Sequence, residues 1–90
     1  MRYEIRVHRD VAKALSRMEP KLRTRITRGL RVLLEDPYES RPSADIVRLR
    51  GTKDRQDLFR LRIGDYRAIY AVEGNVVYVT DIFQRGRGYE

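Results

Sequence analysis

Polar and apolar positions alternate at the start of the chain: Tyr3, Ile5 and Val7 point one way, Glu4, Arg6 and His8 the other. A period of two over residues 3–8 predicts a strand with one buried face. The period then lengthens. Val11, Ala14, Leu15 and Met18 fall at helical spacing, with Asp10 placed to cap that helix. Pro20 suits the first turn of a second helix, where a missing N–H costs nothing. Leu22, Ile26, Leu30 and Leu33 form its buried stripe, and Arg23, Thr27, Arg28 and Arg31 lie off it. Asp36 precedes Pro37 and is pushed out of helical geometry, which ends the helix near Glu35. Residues 36–45 read as a polar loop.

From Ile46 the period returns to two. Val47 and Leu49 alternate with Arg48 and Arg50, and Gly51 to Asp57 forms a charged loop. Phe59, Leu61 and Ile63 then alternate with Arg60 and Arg62. Gly64-Asp65 has glycine first, as a two-residue type II′ hairpin turn prefers. Tyr66 to Val72 follows, Gly74-Asn75 turns the chain again, and Val76 to Phe83 closes the sheet. The order β-α-α-β-β-β-β predicts an α+β fold, an antiparallel sheet with both helices packed on one face. Residues 1–90 form a single domain without repeats or linkers.

Composition narrows the function classes. Ninety residues and 10.7 kDa allow one core, with no room for a second catalytic domain or a large cofactor fold, so no cofactor is expected. With no Cys and one His, Cys-ligated metals, disulfides and histidine-based metal sites are excluded. No apolar run approaches the roughly 18 residues of a membrane span, and the start lacks the apolar stretch of a signal peptide. A soluble, cytoplasmic domain is the expectation. The net charge of +7 points to an anionic partner, and 17 of the 20 basic residues are Arg. Arginine's planar fork grips phosphate bidentately, whereas lysine is a hydrated point charge.

The tight turn at Gly64-Asp65 fixes a register. Ile63 pairs with Tyr66, which sets Arg62 opposite Arg67, Leu61 opposite Ala68 and Arg60 opposite Ile69. One face therefore receives Phe59, Leu61, Ile63, Tyr66, Ala68 and Tyr70, and the other receives Arg60, Arg62 and Arg67 together. Like charges directly opposite cost something under about 1 kcal/mol. The missing counter-charge is either a ligand's phosphate or one of Asp57, Asp65 and Asp81. For the last strand two registers stay open. A two-residue loop at Gly74-Asn75 puts Thr80 and Ile82 on the arginine face, and a three-residue loop with a bulge puts Asp81 and Arg85 there.

The segment Phe59-Arg60-Leu61-Arg62-Ile63-Gly64-Asp65-Tyr66-Arg67-Ala68-Ile69-Tyr70 resembles the signature of the RelE/ParE superfamily of toxins from toxin–antitoxin pairs. Tyr3-Glu4-Ile5, Ala14-Leu15, Leu34-Glu35-Asp36-Pro37, Leu49-Arg50-Gly51 and the closing Arg85 and Tyr89 extend the likeness over nearly the whole chain. The resemblance implies a microbial RNase-like fold. For the RelE branch it implies a metal-independent endoribonuclease that cuts mRNA in the ribosomal A site. Arg67 would contact the scissile phosphate. Arg60 and Arg62 stand where bacterial members carry lysines, and Arg85 and Tyr89 match a late arginine and a C-terminal tyrosine. The ParE branch instead poisons DNA gyrase, and a third reading is an RNA-binding module without catalysis. The implied partners are the ribosome, mRNA and an acidic RelB-like antitoxin in a heterotetramer, with no membrane.

Cleavage through the neighbouring 2′-OH needs a base, cations for the phosphorane and an acid for the leaving oxygen. Arg60, Arg62, Arg67 and Arg85 supply the cations, but arginine does not readily exchange protons. Tyr89 is the first candidate for proton transfer, with His8, Asp81 and Glu90 behind it. The basic second helix, with Arg23, Arg28 and Arg31, is a candidate for further RNA and ribosome contacts, joined by Arg48, Arg50, Lys53 and Arg87. Tyr38 and Phe83 are aromatic candidates for base stacking, with a core position preferred for Phe83.

Overall fold

The computed structural model describes residues 2–49 and 57–85. The chain runs β1 (Glu4–Val7), α1 (Arg9–Arg17), α2 (Pro20–Leu30), a 3₁₀ turn (Arg31–Leu34), β2 (Asp45–Arg48), β3 (Leu58–Ile63), β4 (Tyr66–Glu73) and β5 (Val76–Gln84). The elements match the periodicities, with two local differences. His8, not Asp10, caps α1: its Nδ1 accepts the backbone N–H of Asp10 at 3.0 Å. The second helix tightens into the 3₁₀ turn after Leu30, which keeps Leu33 pointing inward at 0% exposure.

The five strands form one sheet in the order β1-β5-β4-β3-β2. Three of its four pairings are antiparallel, and β1 runs parallel to β5, so the sheet is mixed rather than antiparallel. Alternation within a strand reports its buried face and carries no information on its neighbour's direction. The 62–67 hairpin has the register expected, from Ile63 opposite Tyr66 to Arg60 opposite Ile69. Gly64 has φ +58° and, among the described residues, no non-glycine residue has positive φ, so the turn needs glycine only at its first position, as type II′ does.

Both helices cover the face carrying Phe59, Leu61, Ile63, Ala68, Tyr70, Val77 and Val79, which forms the core with Val11, Ile26, Leu30 and Leu33. Phe59 stacks on Tyr70 with ring centroids 5.6 Å apart, and Tyr38 meets Phe59 edge-on. The Tyr70 hydroxyl donates to Pro37 O at 2.6 Å, tying the loop after the 3₁₀ turn to the middle of the sheet. Burial drives the Tyr70 phenol well above its ordinary range.

α2 sits close on β3 at one point. A Cβ added at Gly29 would lie 2.7 Å from Ile63 Cγ2, a buried β-branched side chain with little room to yield. Gly29→Ala gains up to about 1 kcal/mol of helix propensity and loses roughly 1–3 kcal/mol to overpacking. We expect net destabilisation, seen as a melting temperature several degrees below wild type. An unchanged or higher melting temperature would contradict this packing.

Candidate nucleic-acid interface

The helix-free face of the sheet collects the arginines. β3 contributes Arg60 and Arg62, and β4 places Arg67 directly across from Arg62. The last strand settles between its two registers in an unforeseen way. The Gly74-Asn75 loop has two residues, with Glu73 opposite Val76, and a bulge within β5 shifts the pairing between Ile69 and Tyr70. Beyond the bulge Asp81 stands opposite Ile69 and Phe83 opposite Arg67. Phe83 is therefore on the arginine face rather than in the core, because the single extra residue moves every later side chain to the other face. The Arg85 backbone N–H bonds Asp65 O at 2.5 Å, which fixes Arg85 beside the Gly64 turn.

Arg67 is the centre of this cluster. Its Nη1 donates to Gly64 O and Tyr66 O at 3.1 and 3.2 Å, which aims the guanidinium along the end of the hairpin. Desolvation, then the like charges of Arg62, Arg60 and Arg85, hold its pKa below the ordinary arginine value. It stays cationic at neutral pH. Ile69 and Ala71 share this face and are only 1% and 3% exposed, so the arginines stand beside an apolar floor. Charges over such a floor are screened less than in open water.

Among the described residues one carboxylate pairs with an arginine of the cluster, and it is none of the three expected. Asp45, the first residue of β2, lies opposite Arg62 and accepts a hydrogen bond from Arg60 Nη2 at 2.9 Å. Asp57 instead pairs with Arg48. Among the described residues Arg62, Arg67 and Arg85 form no salt bridge. Sequence reading missed Asp45 because residues 36–45 lack strand periodicity. The β2–β3 register also depends on a long connection, whereas the β3–β4 register depends on a two-residue turn.

The remaining candidates divide. Arg28 and Arg31 line a cleft on α2 with Thr24 and Thr27, on the helix side of the sheet. Arg23 lines it too, but its Nη1 is bound to the Leu15 and Ser16 carbonyls at the end of α1. Arg25 reaches the Gly64 turn, with Nη2 3.4 Å from where a Cβ would stand. Arg48 is on the helix side by register, opposite Phe59. His8 is spent as a cap. Tyr38 is engaged by Tyr3 and Phe59. Arg50, Lys53, Arg87, Tyr89 and Glu90 lie outside the described residues. Among the described residues no helix is long and apolar enough to cross a membrane.

Residues 5–89 match the model of the ParE toxin of type II toxin–antitoxin systems. No match was found among curated protein sequences. Three solved structures share the architecture. The archaeal RelE of a RelE–RelB complex from Pyrococcus horikoshii OT3 is 36% identical over 98% of this chain and 100% of its own, with a TM-score of 0.75. A chain from the RelB–RelE antitoxin–toxin complex of Methanococcus jannaschii is 18% identical over 87% of each chain, with a TM-score of 0.64. The isolated Escherichia coli RelE toxin is 24% identical over 96% of this chain and 87% of its own, with a TM-score of 0.67. The last two establish a shared fold. The match over residues 5–89 and the 36% identity to the archaeal RelE show that the chain belongs to the RelE/ParE superfamily, the toxins of type II toxin–antitoxin systems.

Proposed function

We propose that this toxin is a metal-independent endoribonuclease that cuts mRNA on the ribosome. The observation that carries the reading is Arg67 among Arg60, Arg62 and Arg85, with three of the four lacking a carboxylate partner among the described residues. A phosphodiester drawn onto this face supplies the missing negative charge. When the neighbouring 2′-OH attacks, charge grows on the phosphoryl oxygens, and cationic donors already held in place stabilise it without reorganisation. Arginine forks suit those oxygens better than point charges do. Tyr89 is the proposed proton donor for the leaving oxygen, and the ribosome supplies the geometry of the mRNA.

Arg28 and Arg31 on the helix side, with Arg23, Arg48, Arg50, Lys53 and Arg87, extend the proposed ribosome-binding surface. The proposed inhibitor is a RelB-like antitoxin, by analogy with the archaeal relative's RelE–RelB complex; the +7 charge suits an acidic one laid over the basic surface, and a heterotetramer is the proposed assembly. A cytoplasmic site of action follows from this reading. The ParE family match favours a second reading, inhibition of DNA gyrase without nuclease activity. Brief expression in cells separates the two. Ribosome profiling should show cuts at fixed codon positions, and DNA damage with intact mRNA would support the gyrase reading instead.

A further inference from the structure

We propose that Asp45 is the general base of the cleavage step, holding its carboxylate on Arg60 and taking the 2′-OH proton from the nucleotide bound to Arg67. The inference rests on the nuclease reading and fills the gap that arginine leaves in it. Four observations support it. Asp45 lies on the arginine face, directly opposite Arg62. Its Oδ1 accepts from Arg60 Nη2, while Oδ2 accepts no hydrogen bond among the described residues. Its side chain is 50% exposed, open to a ligand, while Arg60 is only 26% exposed and gives a firm support. Arg60 Nε is buried and has no partner, so that guanidinium is held by its packing and by Asp45 rather than by a full set of bonds.

Other carboxylates on this face are placed less well. Glu4 pairs with Arg6 at the far edge of the sheet. Glu73 is at the opposite end of β4 from Arg67. Asp81, opposite Ile69 by register, and Asp65, in the Gly64 turn, form no ion pair with an arginine among the described residues. Asp45 is also close enough to Arg67 to oppose, in part, the lowering of its pKa by the neighbouring arginines. A carboxylate with one oxygen fixed and one free matches the usual geometry of a base held by an orienting partner.

The step balances without a co-reactant. The O2′–H proton passes to Asp45 Oδ2 as the O2′–P bond forms. The P–O5′ bond breaks with its electron pair on O5′, which takes a proton from the acid or from water. The products are a 2′,3′-cyclic phosphate and a 5′-OH, and Asp45 returns its proton to solvent. The charged groups facing Asp45 are Arg60 and Arg62 on β3 and Arg67 on β4.

Asp45→Asn tests this directly, because an amide oxygen still accepts from Arg60 while the basic oxygen is lost. Single-turnover cleavage of mRNA on programmed ribosomes should fall about 10²-fold or more. Binding should be as tight as wild type or tighter, since one negative charge leaves a phosphate site. The wild-type rate should fall as pH is lowered, and Asp45→Asn should lose that limb. Asp45→Glu should recover part of the rate. A loss under tenfold, or a larger loss with the acid limb intact, overturns the proposal. If the wild-type protein leaves the mRNA whole, the nuclease reading fails and this inference fails with it. Cleavage by wild type and Asp45→Asn alike removes Asp45 alone.

Discussion

Replacing Arg67 by alanine is expected to slow mRNA cleavage about 10²–10³-fold, the usual cost of deleting one oriented donor to a developing oxyanion. The fold should not suffer. Arg67 is crowded by Arg62, Arg60 and Arg85, so removing it relieves like-charge repulsion and offsets the two carbonyl contacts it makes. The melting temperature should stay within about 4 °C of wild type or rise. Loss of activity with gain or retention of stability is what a site kept for function predicts. Arg67→Lys refines the test, since it keeps the charge and loses the fork. It should recover only part of the rate. Full activity in Arg67→Ala would remove this residue from the site.

The second large effect is on binding. Arg25, Arg28 and Arg31 are exposed and, among the described residues, none forms a salt bridge. Changing all three to glutamine removes three potential phosphate contacts from α2 and the turn that follows it. Each phosphate contact contributes about 0.7–0.9 to the slope of log affinity against log salt. Measured against ribosomes, the slope should flatten by roughly 2–3, and affinity near 0.15 M salt should fall about 10²-fold. Cleavage of mRNA already on the ribosome should be little affected at saturation, because these side chains are not among the three arginines that crowd Arg67. An unchanged salt slope would show that the helix is an ordinary solvated surface.

Much of this was readable from residue order where short-range constraints act. The turn at Gly64-Asp65 leaves no freedom in pairing, so Arg62 opposite Arg67 follows from the sequence and is found. Alternation gave the buried faces of β3 and β4 for the same local reason. Long-range features were not accessible in that way. The parallel β1–β5 pair joins the two ends of the chain, and nothing within either strand encodes its partner. The β5 bulge is one residue in the middle of a strand, yet it moves Phe83 out of the core and onto the arginine face. Asp45 escaped notice because it begins a four-residue strand after a long loop, with its partner Arg60 fifteen residues away. The cations of the site were thus visible in the sequence and its carboxylate was not.

Cleavage by the 2′-OH on the arginine face would leave its signature in the chemistry of the cut ends. Purified protein is incubated with mRNA-programmed ribosomes, and the products are analysed by mass spectrometry. The expected products are a 2′,3′-cyclic phosphate on the upstream fragment and a 5′-OH on the downstream one, both lost in Arg67→Ala. Intact mRNA, or fragments carrying 5′-phosphate and 3′-OH ends, would contradict it.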